Sequence, residues 1–246
     1  ANITLTNLTI STNTAAVNGG GLLIRSTATG TTTLDGVTLN SNIADSDNNS
    51  SGDGGGIYRA AGTLNLNNTI NIGSTGLGNT AVNGGGIANT GGNLSKTTGL
   101  LTVAANNAKN NGGGYYITGG TINFQKTVII NNTANSDNSG GGEGGGIYNA
   151  GGALSLNFNR IALNIANANA PSNAMRHVSG TITNIQNNWW GTNSPATVIN
   201  GTASYTPYLQ LLHTPASNLI CQNKSTGLTA SFVNNSANTN VLANID

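Results

Sequence analysis

Few residues of this chain could do chemistry, and their placement narrows what that chemistry is. The carboxylates are Asp35, Asp45, Asp47, Asp53, Asp137, Glu143 and Asp246. Hydrolysis of a glycosidic bond needs two of them roughly 5–9.5 Å apart, and elimination needs a base beside a cation or metal. Asp35 stands alone. Asp45, Asp47 and Asp53 share one stretch, and Asp137 and Glu143 share another. A pair such as Asp47 and Asp53 could meet. A solvated loop is the plainer reading, because a catalytic pair belongs on a rigid element. Asp45-x-Asp47-x-Asn49, with Asp53 beyond it, has the oxygen-donor pattern of a calcium loop but lacks the closing bidentate Glu. His177 and His213 have no Cys or carboxylate close in sequence, which leaves a zinc or nucleophile role without support.

These residues are positioned by a repeat. Gly54-Gly55-Gly56-Ile57-Tyr58 has counterparts beginning at Gly19, Gly84, Gly112 and Gly144, separated by 35, 30, 28 and 32 residues. Such self-similarity marks a solenoid or an array. Before the Gly runs the same apolar pattern returns: Leu5, Leu8, Ile10, Asn13, Ala15, then Leu34, Val37, Leu39, Asn42, Ala44. The third repeat carries insertions. The fourth is irregular, with Lys96 near an otherwise apolar position. Period-2 alternation in Thr63-Leu64-Asn65-Leu66 and the Thr, Ile and Leu content read as strand. Each coil is expected to hold three short strands: the Thr/Leu segment, the Asn-x-Ala segment and the segment after the Gly run. Stacking coils at about 4.8 Å would bury each apolar position against its equivalents.

Within that scheme Asn13, Asn42, Asn132 and Asn164 form a column. Asn at a corner tolerates left-handed backbone and can hydrogen-bond its neighbours in a ladder. With Ile57 inward, Gly55 is inward and Gly54, Gly56 and Tyr58 face out. Tyr58, Tyr116 and Tyr148 then make an outward aromatic column, able to bind sugar rings or to pack against a loop, a tail or another molecule. The long loops Asp45–Asp53 and Asn135–Glu143 share a pattern, and insertions confined to one face of a solenoid often mark its working face. After residue 170 the repeat fades. Asn188-Trp189-Trp190-Gly191 brings both Trp residues to the end of the stack, where large aromatics can cap it. The chain divides into repeats over 1–185, a cap over 186–212 and a tail over 213–246.

Composition excludes several classes. Charged residues are 6% and the formal net charge is +1, so there is no basic stripe for nucleic acid. No apolar run approaches the about 20 residues of a membrane span. Cys221 is the single Cys and makes no internal disulfide. Ala1 opens directly into strand-like sequence, as after processing or excision from a longer chain.

The coils Leu-x-Leu…Asn-x-Ala…Gly-Gly-Gly-Ile-Tyr, followed by Asn187-Asn188-Trp189-Trp190-Gly191 and Tyr205-Thr206-Pro207-Tyr208-Leu209, resemble bacterial exported right-handed parallel β-helix repeat proteins. They are similar to the polymorphic outer-membrane protein repeats of large adhesins and autotransporters. The tail from Leu212 resembles the opening of a bacterial immunoglobulin-like domain. The resemblance implies an all-β parallel β-helix of about seven coils, an extracellular or cell-surface location and no catalytic residues. The expected role is a non-catalytic stalk, adhesin module or filament subunit joined head-to-tail through an open N-terminal coil and the C-terminal tail. Expected partners are further copies of the chain, other surface proteins or glycans. The alternative is a protein that binds or degrades polysaccharide.

Overall fold

The computed structural model describes residues 1–96, 98–139, 141–166, 173–215 and 228–245. It is an all-β parallel solenoid of about six turns, one fewer than the repeat count suggests. The seventh circuit is incomplete because the cap replaces the Asn-x-Ala and Gly segments. The second coil shows the plan. Thr31–Asp35 forms a threonine face, Thr38–Asn40 a leucine face, Ile43–Ala44 an alanine face and Ile57–Arg59 a tyrosine face. Each strand pairs in parallel with its equivalent above and below. Leu5, Leu34 and Leu66 share one register, as do Ile10, Leu39, Ile72, Val103, Ile129 and Ile161. Leu34, Leu39, Leu66 and Ile72 are fully buried.

The coil has four strands, not three. A single left-handed residue separates the threonine and leucine faces: Asn7, Gly36, Asn68, Gly99, Lys126, Phe158 and Asn187 all have positive φ. The apolar spacing lengthens here from two residues to three or four, as from Leu34 to Val37 and from Leu66 to Ile70, which is the mark the turn leaves on the pattern. Five of the seven are Asn or Gly, the residues that adopt this conformation most readily.

The Gly run does more than turn. Gly54 has φ +71°, a conformation that favours Gly. A Cβ on Gly55 would stand 2.5 Å from the Thr80 carbonyl oxygen, and one on Gly56 would stand 3.0 Å from the Ile72 side chain. Gly56 is therefore packed inside, not facing out as its parity with Ile57 suggests. The tyrosine and alanine sides of the solenoid meet there backbone to backbone, and only Gly fits the gap.

The Asn column is a continuous ladder longer than the sequence pattern shows. The backbone N–H and Nδ2 of Asn13 donate to Oδ1 of Asn42 at 3.1 and 3.0 Å. The same pair of bonds links Asn42 to Asn79, Asn79 to Asn106, Asn106 to Asn132 and Asn132 to Asn164. The second Nδ2 hydrogen goes to a leucine-face carbonyl, as from Asn106 to Ile72 at 2.8 Å. The left-handed residue is the one before the ladder Asn: Thr12, Ser41, Ala105, Asn131 and Leu163 carry the positive φ. The Asn is retained for its amide, not for its backbone.

Lys96 occupies the inward register opposite Leu66, and its Nζ reaches out to the Gln125 carbonyl at 2.9 Å. Its methylene stem covers apolar surface while the head stays wet. At the C-terminal end Trp190 is buried and caps the last coil, whereas Trp189 lies on the outside at half burial. In the tail, Leu212–Pro215 pairs antiparallel with Leu228–Ser231. Residues beyond it fold back on the cap, with Asn235 Nδ2 donating to Asn187 Oδ1 at 2.8 Å. Among the described residues the tail adds one ribbon and the short helix Leu242–Ile245, with no sandwich sheet. Cys221 and the rest of the tail over 216–227 lie outside the described residues, as does Asp246. No helix among the described residues is long and apolar enough to cross a membrane.

Candidate functional site

The two long loops and the tyrosine face lie together at the glycine corner. The first loop opens with Asp45 in left-handed backbone. Its carboxylate accepts from Lys109 Nζ at 2.6 Å and from the Ser51 amide at 3.2 Å. Burial pushes the Asp45 carboxyl up, but the Lys109 ammonium and the Ser51 amide outweigh it and hold the group below its ordinary value. Lys109 also donates to Asn48. Asp47 accepts from the Asn49 side chain at 2.9 Å, and Asp53 is engaged elsewhere. The four candidate calcium donors are thus brought into one loop but not to one point, and an ammonium stands at Asp45 where a cation would bind. Among the described residues no three His, Cys, Asp or Glu side chains gather as a metal set.

The likeness of the two loops has a structural cause. Asn48 and Asn138 donate their amides to the carbonyls of Asp45 and Asn135, both at 3.1 Å, while Ser46 and Ser136 donate to the alanine face one coil back, at Ala15 and Ala108. The shared letters encode a shared turn.

The residue before each Gly run forms a second ladder that reading by repeat alone missed. The Asp53 amide donates to Asn18 Oδ1 at 2.9 Å, the Asn83 amide to Asp53 Oδ1 at 3.1 Å, the Asn111 amide to Asn83 Oδ1 at 3.1 Å and the Glu143 amide to Asn111 Oδ1 at 2.9 Å. The signal was available: Asn precedes three of the runs, and an acid precedes the two that follow long loops. Glu143 pairs with Arg176 at 3.0 Å. Among the described residues no cation pairs with Asp53; burial raises its pKa and the Asn83 side chain and amide only partly offset that.

Asp53→Asn is therefore expected to stabilise the fold by about 1 kcal/mol at pH 7, since its Nδ2 can add a second donor to Asn18 and no buried charge remains. Asp53 holds its proton to higher pH when folded than when unfolded. Its ionisation thus opposes folding above that window, and the gain should fade as pH falls toward its ordinary value of 3.8. Thermal melts of both proteins at pH 7 and pH 4 check this.

The tyrosine face carries Leu23, Tyr58, Ala88, Tyr116, Tyr148 and Arg176 in one register. Tyr116 and Tyr148 stack with centroids 5.6 Å apart and planes 20° from parallel. One face of each ring is turned to the other. A sugar stacks on a ring face, so this pair suits packing better than saccharide binding. Burial, and then the Asp53 charge, raise the Tyr116 hydroxyl pKa. Tyr58 is separated from them by Ala88 and lines an open cleft of about 650 Å³ with Leu23, Val17 and Arg25.

Inside the same face runs a polar column: Arg59, Asn89, Asn149 and His177, interrupted by Ile117. Arg59 is fully buried, its Nε donates to Asn89 Oδ1 at 3.0 Å, and Nη1 and Nη2 have no hydrogen-bond partner among the described residues. Burial holds its pKa down to about 10. The His177 ring lies 3.4 Å from Asn149 Nδ2; burial and then Arg176 lower its pKa. His213 sits on the tail ribbon. Comparison of the chain with models of protein families, with curated proteins and with solved structures finds no match.

Proposed function

We propose that the chain is a non-catalytic structural solenoid of the cell surface or extracellular space, a stalk, adhesin module or filament subunit that associates end to end. The observation that carries this reading is the solenoid itself, parallel coils joined by a buried amide ladder, a plan whose edges accept further coils of the same kind. Leu34 and Leu39 are 0% exposed, whereas in the first coil Ile3 is 54%, Leu8 43% and Val17 53% exposed. Among the described residues no strand lies on the outer edge of Ile3–Thr6, Thr9–Ser11 or Thr14–Ala15. Unpaired parallel edges beside exposed apolar side chains take a further coil, of the same chain or of another. At the other end Trp190 closes the core, and the ribbon of Leu212–Pro215 and Leu228–Ser231 has unpaired outer edges among the described residues. A two-stranded ribbon is marginal alone. Contact between these unlike ends is heterologous and propagates as a filament.

Electron microscopy and sedimentation over rising concentration test this. End-to-end oligomers are expected, and Ile3→Lys with Leu8→Lys should keep the protein monomeric. Monodisperse wild-type monomers at high concentration would overturn the reading. Polysaccharide degradation is the competing function; release of reducing ends from any polysaccharide would favour it.

A further inference from the structure

We propose that the pocket beside Trp189 binds an acidic saccharide, with the indole and Phe232 rings against the sugar and Arg160 and Lys126 on its carboxylates. The pocket encloses about 500 Å³, is mainly apolar, and is lined by Phe158, Leu209, Trp189, Phe232, Lys126 and Arg160 among others. Its size falls in the roughly 300–1,000 Å³ range of small-ligand sites. No carboxylate is among the described lining residues.

Three observations converge on it. Trp189 is not needed as a cap, because Trp190 fills that role; Trp189 instead faces out and meets Phe232 edge-on, with centroids 5.1 Å apart at 60°. An edge-on pair leaves ring face for a ligand, unlike the Tyr116–Tyr148 stack. Next, the corner between the threonine and leucine faces is Asn or Gly in every coil except two. The exceptions are Lys126 and Phe158, both left-handed, and both line this pocket. Bulky residues in that conformation are disfavoured, and such outliers cluster at functional sites. Finally, the cations concentrate here. Lys126 and Arg160 line this pocket, and Lys96 lines the adjoining cleft together with Lys126. Burial, and then repulsion from Lys126, lower the Lys96 pKa. A polar cleft of about 440 Å³ lies between Lys96 and Lys126, lined by Asn123 and Gln125. A chain of acidic sugars could continue from the aromatic pocket into it.

Arg forms bidentate hydrogen bonds with carboxylates, and an apolar aromatic wall suits the C–H face of a pyranose. Nucleic acid is disfavoured because three cations beside one concave pocket do not track a phosphate backbone. The assignment is independent of whether the chain self-associates.

Tryptophan fluorescence of the full chain, titrated with a galacturonate tetrasaccharide, tests it. A saturable change is expected, absent with the methyl-esterified tetrasaccharide. Arg160→Gln, on an exposed side chain, should weaken binding roughly tenfold or more without moving the melting temperature. Trp189→Phe should weaken binding and remove most of the signal. The proposal is overturned if the acid fails to bind at millimolar concentration, if the ester binds equally, if Arg160→Gln binds like wild type, or if an oligothymidylate binds more tightly than the saccharide.

Discussion

Asn106→Ala is expected to lower the unfolding free energy by about 3–5 kcal/mol, the largest effect of any single substitution considered for this chain. Asn106 is fully buried in the middle of the amide ladder. Its Oδ1 accepts from the amide and the side chain of Asn79, and its Nδ2 donates to Asn132 Oδ1 and to the Ile72 carbonyl. Truncation strands the Asn79 donors and the Ile72 carbonyl away from water and leaves a cavity between coils. Each buried group without a partner costs about 1–3 kcal/mol. Asn106→Asp keeps the shape and the acceptor but removes both Nδ2 donors, so it should also destabilise. Asn13→Ala is the control. Asn13 is exposed and only donates into the ladder, so its loss should cost under about 1 kcal/mol. Urea unfolding of the three variants, with amide exchange to locate the weakened coils, measures this. Equal losses at positions 13 and 106 would show that the ladder does not act through burial.

Arg59→Met combined with Asn89→Leu should raise stability by about 1–4 kcal/mol, the range seen when buried charges give way to apolar residues of similar volume. The column that holds Arg59 and Asn89 already carries Ile24 and Ile117 at equivalent positions, so the solenoid accepts apolar side chains there. Arg59 has one side-chain hydrogen bond, to Asn89, and no carboxylate among its partners. Asn89→Leu alone should cost about 3 kcal/mol, because it leaves the guanidinium buried without that acceptor. Opposite signs for the single and the double substitution are the signature of an uncompensated buried charge. A double variant less stable than wild type would reveal an anionic partner for Arg59. Chemical denaturation of the four proteins in the cycle reads both quantities.

Much of this arrangement could be read from the letters. The Gly runs, the columns of Leu and Ile and the Asn-x-Ala segments recur at fixed offsets, and a coil that stacks on its copy must place equivalent residues over one another. Lys96 was legible as an intruder in an apolar row for the same reason. Arg59 could have been placed inside by parity, since it stands two residues after Ile57 on one strand. The second ladder, through Asn18, Asp53, Asn83, Asn111 and Glu143, could have been found by asking what precedes each Gly run. Other features left a fainter trace or none. The corner at Gly36 and Lys126 is a single residue wide and only lengthens the apolar spacing by one, from Leu34 to Val37, so two strands read as one. The adjacent Trp189 and Trp190 point to opposite sides of an extended chain, and nothing repeats in the cap to say which is inside.

By itself the amino-acid order determined an all-β solenoid, the residues that line its core and the ladder that joins its coils. These follow from periodicity, which is local information repeated until it becomes unambiguous. Only the tertiary structure decided which groups from different coils meet. It set Lys109 on Asp45 across 64 positions of sequence, turned the faces of Tyr116 and Tyr148 toward each other, and gathered Trp189, Phe232, Lys126 and Arg160 around one pocket. Those encounters depend on how many residues each loop inserts and on how the tail returns, and the repeat itself encodes neither.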